Sequence, residues 1–348
     1  MKKGLFFTVL LLGMMTTSYA QANPASAAAF RDRGTAAAAL GDFEAAIAYF
    51  TEAIRLEPDN ASAFRERGSA HRNAGDLDRA MADLNEAIRL APDYAWAFSV
   101  RGNVHFNAGD LARALADYNE AIRLEPNYPI ALSNRGFLHL YTDDLASALA
   151  DFNEALRIDP DAYMALRNRS VLHFIMGDLD RAIADLNEML RIDPNDHTAL
   201  RSRGYLHFSM GDFDQAVADL TDVLRVAPND ALAFNARGQA HFSMGDFSGA
   251  LADFNEALRI APDAHWGLRN RGLLHLYTGD FACALADFNE ALRIAPNDHL
   301  AFNARGEAHF NMGNWEQAIA DFEAALRLNP DNADAVHWLE EARRNSGQ

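Results

Sequence analysis

Eight histidines recur at intervals of 34 residues, and imidazole is both a common zinc ligand and a proton acceptor near neutral pH. Two ligand nitrogens must come within ~2.1 Å of one zinc ion, whereas packed helices lie ~8–10 Å apart. No histidine of the series has a second His or Cys three or four residues later. We therefore expect a packing and hydrogen-bonding role, and we predict no metal site. The histidines are His71, His105, His139, His173, His207, His241, His275 and His309.

Nine arginines keep the same interval, from Arg33 to Arg305. Eight of them are followed 16 residues later by an aspartate, from Asp83 to Asp321, while Tyr49 follows the first. A guanidinium near a hydrophobic core needs a carboxylate partner, because an unpaired buried charge is costly. We expect Arg–Asp pairs that tie helices together. An anion-binding function of the arginines is the alternative.

Motifs that carry catalysis are missing from the sequence. It has no glycine-rich phosphate loop, no serine nucleophile motif and no HExxH. Its single cysteine, Cys283, predicts no internal disulfide. The net charge of −18 repels phosphate backbones, so nucleic acid is not an expected partner. We predict no catalytic residue, no cofactor and no enzymatic activity.

The prolines have the same period as the histidine and arginine series. They recur every 34 residues from Pro58 to Pro330, and alanines do the same from Ala46 to Ala318. A fixed period of this size is typical of stacked supersecondary units. Nine gapless repeats fill residues 27–332. They span 27–60, 61–94, 95–128, 129–162, 163–196, 197–230, 231–264, 265–298 and 299–332.

Each repeat is predicted to be a helix–turn–helix. Gly-Asp at repeat positions 15 and 16, as in Gly211-Asp212, indicates a turn and then the N-cap of a second helix. Proline at position 32 ends that helix. One such hairpin cannot bury its apolar side alone, so similar hairpins must stack. Stacking explains why residues 284–298 nearly repeat residues 250–264.

These repeats resemble the tetratricopeptide repeat. The shared pattern is aromatic-x3-Gly, then Ala-x3-Phe, then Pro, carried for example by Phe234, Gly238, Ala250, Phe254 and Pro262. The resemblance covers all nine repeats. It implies an all-α fold, a right-handed α-α superhelical solenoid in which the first helix of every repeat lines a concave groove.

Both ends of the chain differ from the repeats. Residues 1–22 have the pattern of a secretory signal peptide, with an apolar run of about half the ~20 residues that span a bilayer and with cleavage after Ala20 or Ala22. Residues 23–26 form a short linker, and residues 333–348 form a capping helix and tail, with the helix over 333–344. No second apolar run of that length follows, so we expect no stable membrane insertion after cleavage and a periplasmic or secreted protein.

One side of the first helices, at repeat positions 2, 5, 9, 12 and 13, is polar in the first two repeats and largely apolar in repeats three to eight. Aromatics at position 12, such as Phe106, are expected to pack between helices. The remaining apolar strip predicts a partner surface, with arginines at position 5 meeting carboxylates or carbonyls of a bound chain. The predicted groove residues are Trp96, Phe137, Tyr141, Arg167, Arg201, Tyr205, Trp266, Arg269 and Tyr277.

Some members of the family grip a peptide's terminal carboxylate with lysine and asparagine. Asn103, Asn134, Asn168 and Asn270 are candidates here, but the repeats contain no lysine. The resemblance and the groove predict a non-catalytic exported scaffold that binds a protein or peptide segment, in envelope assembly or secretion of a bacterium. A glycan-binding module that stacks sugars on the groove aromatics is the alternative, and an accessory arm of an enzyme is a third hypothesis. The partner's identity and the oligomeric state stay open.

Overall fold

The computed structural model describes residues 26–347, and every regular element in that range is an α-helix. The predicted signal peptide (1–22) lies outside the described residues, as does the linker (23–26) apart from Ser26. The all-α prediction is confirmed. The helices are α1 (Ala27–Ala39), α2 (Phe43–Leu56), α3 (Ala61–Asn73), α4 (Leu77–Leu90), α5 (Ala95–Asn107), α6 (Leu111–Leu124), α7 (Pro129–Tyr141), α8 (Leu145–Ile158), α9 (Tyr163–Ile175), α10 (Leu179–Ile192), α11 (His197–Met210), α12 (Phe213–Val226), α13 (Ala231–Ser243), α14 (Phe247–Ile260), α15 (His265–Thr278), α16 (Phe281–Ile294), α17 (His299–Asn311), α18 (Trp315–Leu328) and α19 (Ala333–Ser346).

The turn inside each repeat follows from its glycine and aspartate. In the second repeat, Gly75 has a φ of 86°, a left-handed conformation that glycine adopts without a Cβ clash. Asp76 then caps α4, because its Oδ1 accepts a hydrogen bond of 3.0 Å from the backbone N–H of Arg79. Asp143 takes the glycine's place in the fourth repeat, with a φ of 62°.

The hydrophobic core is a row of small clusters, and each cluster joins consecutive helices. Leu132 on α7, Phe152 on α8 and Leu172 on α9 lie in one such cluster and are at most 3% exposed. The helices of a hairpin pack closely at a glycine: a Cβ on Gly136 would lie 2.7 Å from Cε1 of Phe152. Stacking therefore supplies the burial that a single hairpin lacks.

The terminal helix α19 continues this packing. Leu339 and Ala342 share a cluster with Phe322 of α18, and the rings of Phe310 and Trp338 have centroids 5.1 Å apart. This helix spans Ala333–Ser346 and ends two residues beyond the end expected from the sequence. Within residues 26–347, no helix combines the length and the apolar character that a bilayer span requires.

The chain divides into two compact units, an N-terminal unit that ends at Ile175 and a C-terminal unit that begins at Met176. The division falls between the two helices of the fifth repeat. Within each unit, consecutive first helices pack directly on one another, whereas consecutive second helices of the described residues make no comparable contact. The first helices thus lie on the inner, concave side of each unit, which we call its inner face.

Candidate functional site

The arginine at repeat position 7 forms a bidentate pair with the aspartate at position 23 of its own repeat. In the second repeat, Nε and Nη2 of Arg67 donate to the two carboxylate oxygens of Asp83 at 2.8 and 2.7 Å. Asp83 is buried, and the fork geometry neutralises its charge. The predicted pairing is confirmed in seven repeats. The other pairs are Arg101–Asp117, Arg135–Asp151, Arg203–Asp219, Arg237–Asp253, Arg271–Asp287 and Arg305–Asp321.

The third nitrogen of each guanidinium reaches the preceding repeat. Nη1 of Arg101 donates to Oδ1 of Asn85 at 2.8 Å, and Nη1 of Arg67 donates to Oγ1 of Thr51 at 3.1 Å. This bond was not predicted from the sequence, although Asn or Thr recurs at position 25. Since one arginine side chain links three helices of two repeats, its function is structural and its nitrogens are already engaged.

The histidine series lies beside these pairs. Nε2 of His71 is 3.9 Å from Oδ2 of Asp83, and burial lowers the pKa of His71 while the Asp83 charge opposes that effect. Nδ1 of His241 lies 3.1 Å from Oδ2 of Asp246, the N-cap residue of α14. No group of three or more potential metal ligands occurs within residues 26–347. His139 and His241 thus lie between a buried carboxylate and the aspartate of a helix cap.

An aromatic cluster lies on the inner face of the N-terminal unit. The ring centroid of Phe106 is 5.5 Å from that of Phe137 and 5.3 Å from that of Tyr141, the latter pair edge-to-face. Phe137 is 41% exposed and Tyr141 66% exposed, whereas Phe106 is half-buried. We call these three residues the N-terminal shelf. Two predicted groove residues thus rest on a third ring that holds them in place.

The C-terminal unit carries a similar cluster. Tyr277 is 68% exposed, and its ring lies edge-to-face to Phe242 at 5.4 Å and near Phe247 at 5.2 Å. We call these residues the C-terminal shelf. Tyr141 and Tyr277 occupy the same repeat position, four repeats apart. Each unit by itself therefore presents an exposed tyrosine on a rigid aromatic base.

The predicted groove residues outside the shelves differ in how far they are exposed. Trp96 is 41% exposed and lies under the guanidinium of Arg65, whose Cζ is 4.2 Å from the ring centroid. Tyr205 is 40% exposed, and partial burial raises its pKa. Trp266 is half-buried.

Two of the three predicted groove arginines have internal partners. Nη1 of Arg201 donates to Oδ2 of Asp230, and Nη1 of Arg269 donates to Oδ2 of Asp298, both at 2.8 Å. These aspartates cap the first helix of the following repeat. Arg167 is exposed. Arg201 and Arg269 thus tie the first helix of their own repeat to the start of the next repeat's first helix, a role that the sequence did not indicate.

Candidate asparagines of the groove are also engaged internally. Nδ2 of Asn134 donates to Oγ of Ser99 at 3.2 Å, and Nδ2 of Asn270 donates to Oδ1 of Asn235 at 2.9 Å. Oδ1 of Asn103 accepts a bond of 2.7 Å from the hydroxyl of Tyr118. These bonds cross between helices, so the amides help to hold the inner face.

A cleft of about 440 Å³, lined by both charged and apolar side chains, opens in the first three repeats, where the sequence showed a polar strip. Arg31 binds Glu66 through two hydrogen bonds of 3.0 and 3.1 Å, and Nη2 of Arg65 donates to the same carboxylate at 3.0 Å. Trp96 closes one side. We call it the Trp96 cleft. Its lining is Arg31, Thr35, Ala38, Phe50, Ser62, Arg65, Glu66, Ser69, Ala70, Asn73 and Trp96.

Comparison with protein families finds tetratricopeptide repeats throughout the chain. One tetratricopeptide repeat model matches residues 19–95, 134–197 and 201–265, a second matches 280–340, and a TPR repeat model matches 102–143. Comparison with curated proteins gives no significant match.

Solved structures with the same fold include a tetratricopeptide repeat protein from Parabacteroides merdae ATCC 43184, which is 22% identical with a TM-score of 0.51 over 71% of this chain and 98% of that one. The APC/C hetero-tetramer Cut9–Hcn1 is 16% identical with a TM-score of 0.55 over 91% of this chain and 76% of that one. At these identities the likeness concerns the fold.

Proposed function

Because this chain belongs to the tetratricopeptide repeat family, we propose that it is an exported, non-catalytic scaffold that binds a protein or peptide segment on the inner faces of its units, in the assembly or secretion machinery of a bacterial envelope. The observation that carries the proposal is the pair of exposed aromatic shelves. A large apolar side chain left in water on an inner face is unfavourable until a partner covers it.

The shelves are suited to binding because they are ordered in advance. Phe106 supports Phe137 and Tyr141, and Phe242 and Phe247 support Tyr277, so little side-chain freedom remains to be lost on association. Apolar side chains of a partner would cover the rings, and the tyrosine hydroxyls would bond its main chain. Rigid aromatic residues are frequent hot spots of interfaces.

The polar groups of the first helices support a scaffold more than an enzyme. The arginines at position 7 are held by Asp and by Asn or Thr, as in Arg135 with Asp151 and Asn119. The histidine series lies beside the same carboxylates. These groups stabilise the stack. Export and the envelope context rest on the N-terminal pattern of residues 1–22 alone.

Peptide binding is tested by selection from a random peptide library displayed on phage, followed by calorimetric titration of the selected peptides. The variants Tyr141→Ala and Tyr277→Ala should each lower affinity about tenfold or more at their own unit, which is the size expected for an aromatic hot spot. Val226→Ala is the matched control, since Val226 is an exposed apolar residue at the end of a second helix. Equal affinities for all four proteins would refute the assignment.

Titration with an envelope polysaccharide tests the alternative, a glycan-binding module. Saturable binding to an envelope polysaccharide, lost in Tyr141→Ala and without any selected peptide, would favour a glycan-binding module. Export is tested separately by N-terminal sequencing of protein recovered from the cell envelope. The expected mature chain begins after Ala20 or Ala22, and an intact N-terminus in the cytoplasm would contradict the proposal.

A further inference from the structure

We propose that a second cleft of the N-terminal unit binds an alkylammonium group, supplied by a lysine side chain of a partner or by a free amine. The cleft has a volume of about 440 Å³ and lies where the second and third repeats meet the first helices that follow them. We call it the Tyr128 cleft. The shelves contribute no residue to it. Its lining is Asp93, Tyr94, Ala95, Trp96, Leu124, Glu125 and Tyr128.

The lining carries two carboxylates and no basic side chain. Asp93 and Glu125 are both exposed, and neither forms an ion pair with any of residues 26–347. By contrast, Glu120 on the adjoining helix α6 is bonded by Arg123 at 2.7 Å. Free carboxylates at the wall of a cleft attract a positively charged ligand.

The arginine beside Trp96 is already engaged. The guanidinium of Arg65 is stacked on Trp96, with Cζ 4.2 Å from the ring centroid. Its Nη2 donates to Oε1 of Glu66 at 3.0 Å, and its Nε donates to the hydroxyl of Tyr94 at 3.2 Å. Arg65 lines the Trp96 cleft, whereas the Tyr128 cleft has no arginine in its lining. The two negative charges of the Tyr128 cleft are therefore not balanced inside it, and the stacking shows that the indole of Trp96 accepts a cation.

Three aromatic residues, Tyr94, Trp96 and Tyr128, line the same cleft. The face of an aromatic ring attracts an ammonium group, and Trp and Tyr do so most strongly. The rings also cover the methylene groups that carry the ammonium, whereas a metal ion has no apolar surface to be covered. Aromatic rings beside free carboxylates thus select an organic cation.

The two tyrosines occupy a position that caps a helix elsewhere in the chain. Asn60 holds this position before α3, and its Oδ1 accepts a hydrogen bond of 3.1 Å from the backbone N–H of Ala63. Tyr94 and Tyr128 make no such bond at α5 and α7. Two successive repeats have therefore replaced a stabilising cap residue by a tyrosine that lines the cleft.

The hydroxyl of Tyr128 adds an acceptor to the lining. Tyr128 is 7% exposed, and its hydroxyl oxygen is buried without a hydrogen-bond partner among residues 26–347. Burial raises the pKa of Tyr128 and the nearby Ser99 opposes this effect, while Oγ of Ser99 is itself bonded by Asn134. Phenylalanine would fill the same space, so packing does not account for the hydroxyl. An ammonium has three donors and no acceptor, which complements two carboxylates and a free hydroxyl oxygen.

The ammonium group must come from another kind of molecule. Residues 26–347 contain no lysine, so a second copy of the repeats does not supply it. Trp96 and Phe106 lie ten residues apart on α5, which is about 15 Å along a helix. A polypeptide that covers the N-terminal shelf can therefore place a lysine in the Tyr128 cleft, and a free diamine can reach it independently.

The test follows the indole N–H signals of ¹⁵N-labelled protein by NMR while amines are added. The signal of Trp96 is the one missing from Trp96→Leu, a change that the fold accepts because Leu232 holds the same repeat position. The probes are Ac-Lys-NHMe, 1,4-diaminobutane and Ac-norleucine-NHMe, which has the lysine chain without its ammonium. We expect an amine to shift the Trp96 signal saturably, with a Kd at least tenfold below that of the norleucine derivative. The tighter of the two amines identifies the source of the group.

Three results would overturn the proposal. One is the absence of a saturable shift with either amine, and another is an equal response to the norleucine derivative. The third is tighter binding by calcium chloride or by methyl β-D-glucoside, which would assign the cleft to a metal ion or to a sugar.

Asp93→Asn/Glu125→Ala is the decisive variant, because Asn127 and Ala91 hold the same repeat positions. It should weaken the amine at least tenfold and leave the norleucine derivative unchanged. Asp263→Asn/Asp331→Asn is the matched control, since it removes two exposed carboxylates at the repeat position of Asp93 from the other unit. Unchanged amine affinity in the decisive variant, or an equal loss in the control, would refute the inference.

Two single variants separate the rings of the cleft from the shelves. Tyr94→Asn, which introduces the cap residue found at Asn60, should weaken the amine about threefold through loss of one ring. Tyr141→Ala should leave the amine affinity unchanged while it lowers the affinity of selected peptides. If the amine binds and no peptide does, the scaffold proposal fails and the cleft stands. If peptides bind and neither amine does, the cleft fails and the scaffold stands.

Discussion

Replacement of Arg67 by leucine tests whether the Arg–Asp pairs are what holds the repeats together. The variant leaves the Asp83 carboxylate buried without the two hydrogen bonds of 2.8 and 2.7 Å that now neutralise it, and it also removes the bond to Thr51. Breaking a buried ion pair from one side costs about 3–5 kcal/mol. For a unit of this size such a loss lowers the melting temperature by roughly 6–20 °C.

The double variant Arg67→Leu/Asp83→Leu distinguishes the free-energy cost of leaving Asp83 unpaired from the net contribution of the intact ion pair. With both charges gone, the stability should return to within about 1 kcal/mol of the wild type or exceed it, because apolar replacements of buried pairs are often neutral or stabilising. Urea unfolding followed by circular dichroism at 222 nm measures both variants. Arg89→Leu, which removes an exposed pair with Glu86, is the control and should leave the midpoint unchanged.

Because His71 lies beside Asp83, the stability lost in Arg67→Leu should depend on pH. Arg67 helps to lower the pKa of His71 and Asp83 raises it, so loss of the arginine raises the pKa of His71 and lets the imidazolium take over as partner of Asp83. The defect of Arg67→Leu should therefore be smaller at pH 5.5 than at pH 8. A cost below about 1 kcal/mol, or a double variant no more stable than the single one, would refute the reasoning.

Three further predictions concern the stack. Gly136→Ala should destabilise the N-terminal unit by about 1–3 kcal/mol, because the new Cβ would lie 2.7 Å from Phe152. Gly68→Ala should cost less, because its nearest contact would be 3.0 Å. Thermal unfolding of the two variants compares these losses of stability. Asp143→Gly should stabilise by about 1 kcal/mol, since it relieves a φ of 62°, and a lower melting temperature would contradict this. Burial lowers the pKa of His309, so the unfolded chain binds its proton first and stability should fall as the pH drops through about 6.5; His309→Asn should flatten this slope between pH 7.5 and 5.5.

Periodicity made the helices and the Arg–Asp pairs predictable, because both depend on contacts inside one repeat. The bond from Arg101 to Asn85 was missed because it joins two repeats. The pairing of Arg201 with Asp230 was missed because Asp230, which caps the first helix of the following repeat, comes next to Arg201 only when the hairpins stack. Spacing along the chain gives no measure of how far one hairpin is rotated against the next. The division of the chain at Ile175 likewise leaves no mark in the repeat pattern.

The exposed rings show a similar limit for the site. Position 13 was recognised as part of the inner face, but the sequence did not show that Tyr141 would rest on Phe106 from the first helix of the preceding repeat. The Trp96 cleft was seen only as a polar strip. Nε of Arg72 is buried without a hydrogen-bond partner among residues 26–347, which the spacing of residues along the chain does not reveal.

The hydrogen bond from the arginine at position 7 to position 25 of the preceding repeat has a consequence for how the repeat array evolves. Repeat position 25 of every repeat receives an arginine from the helix pair that follows, and at the last repeat Glu323 receives Arg343 of α19 at 2.8 Å. At the eight junctions between repeats, the donor is always at position 7 and the acceptor always at position 25. Excision or duplication of one complete 34-residue segment therefore leaves matching surfaces on either side. Unequal recombination between near-identical stretches such as 250–264 and 284–298 can thus lengthen or shorten the array without redesigning a junction.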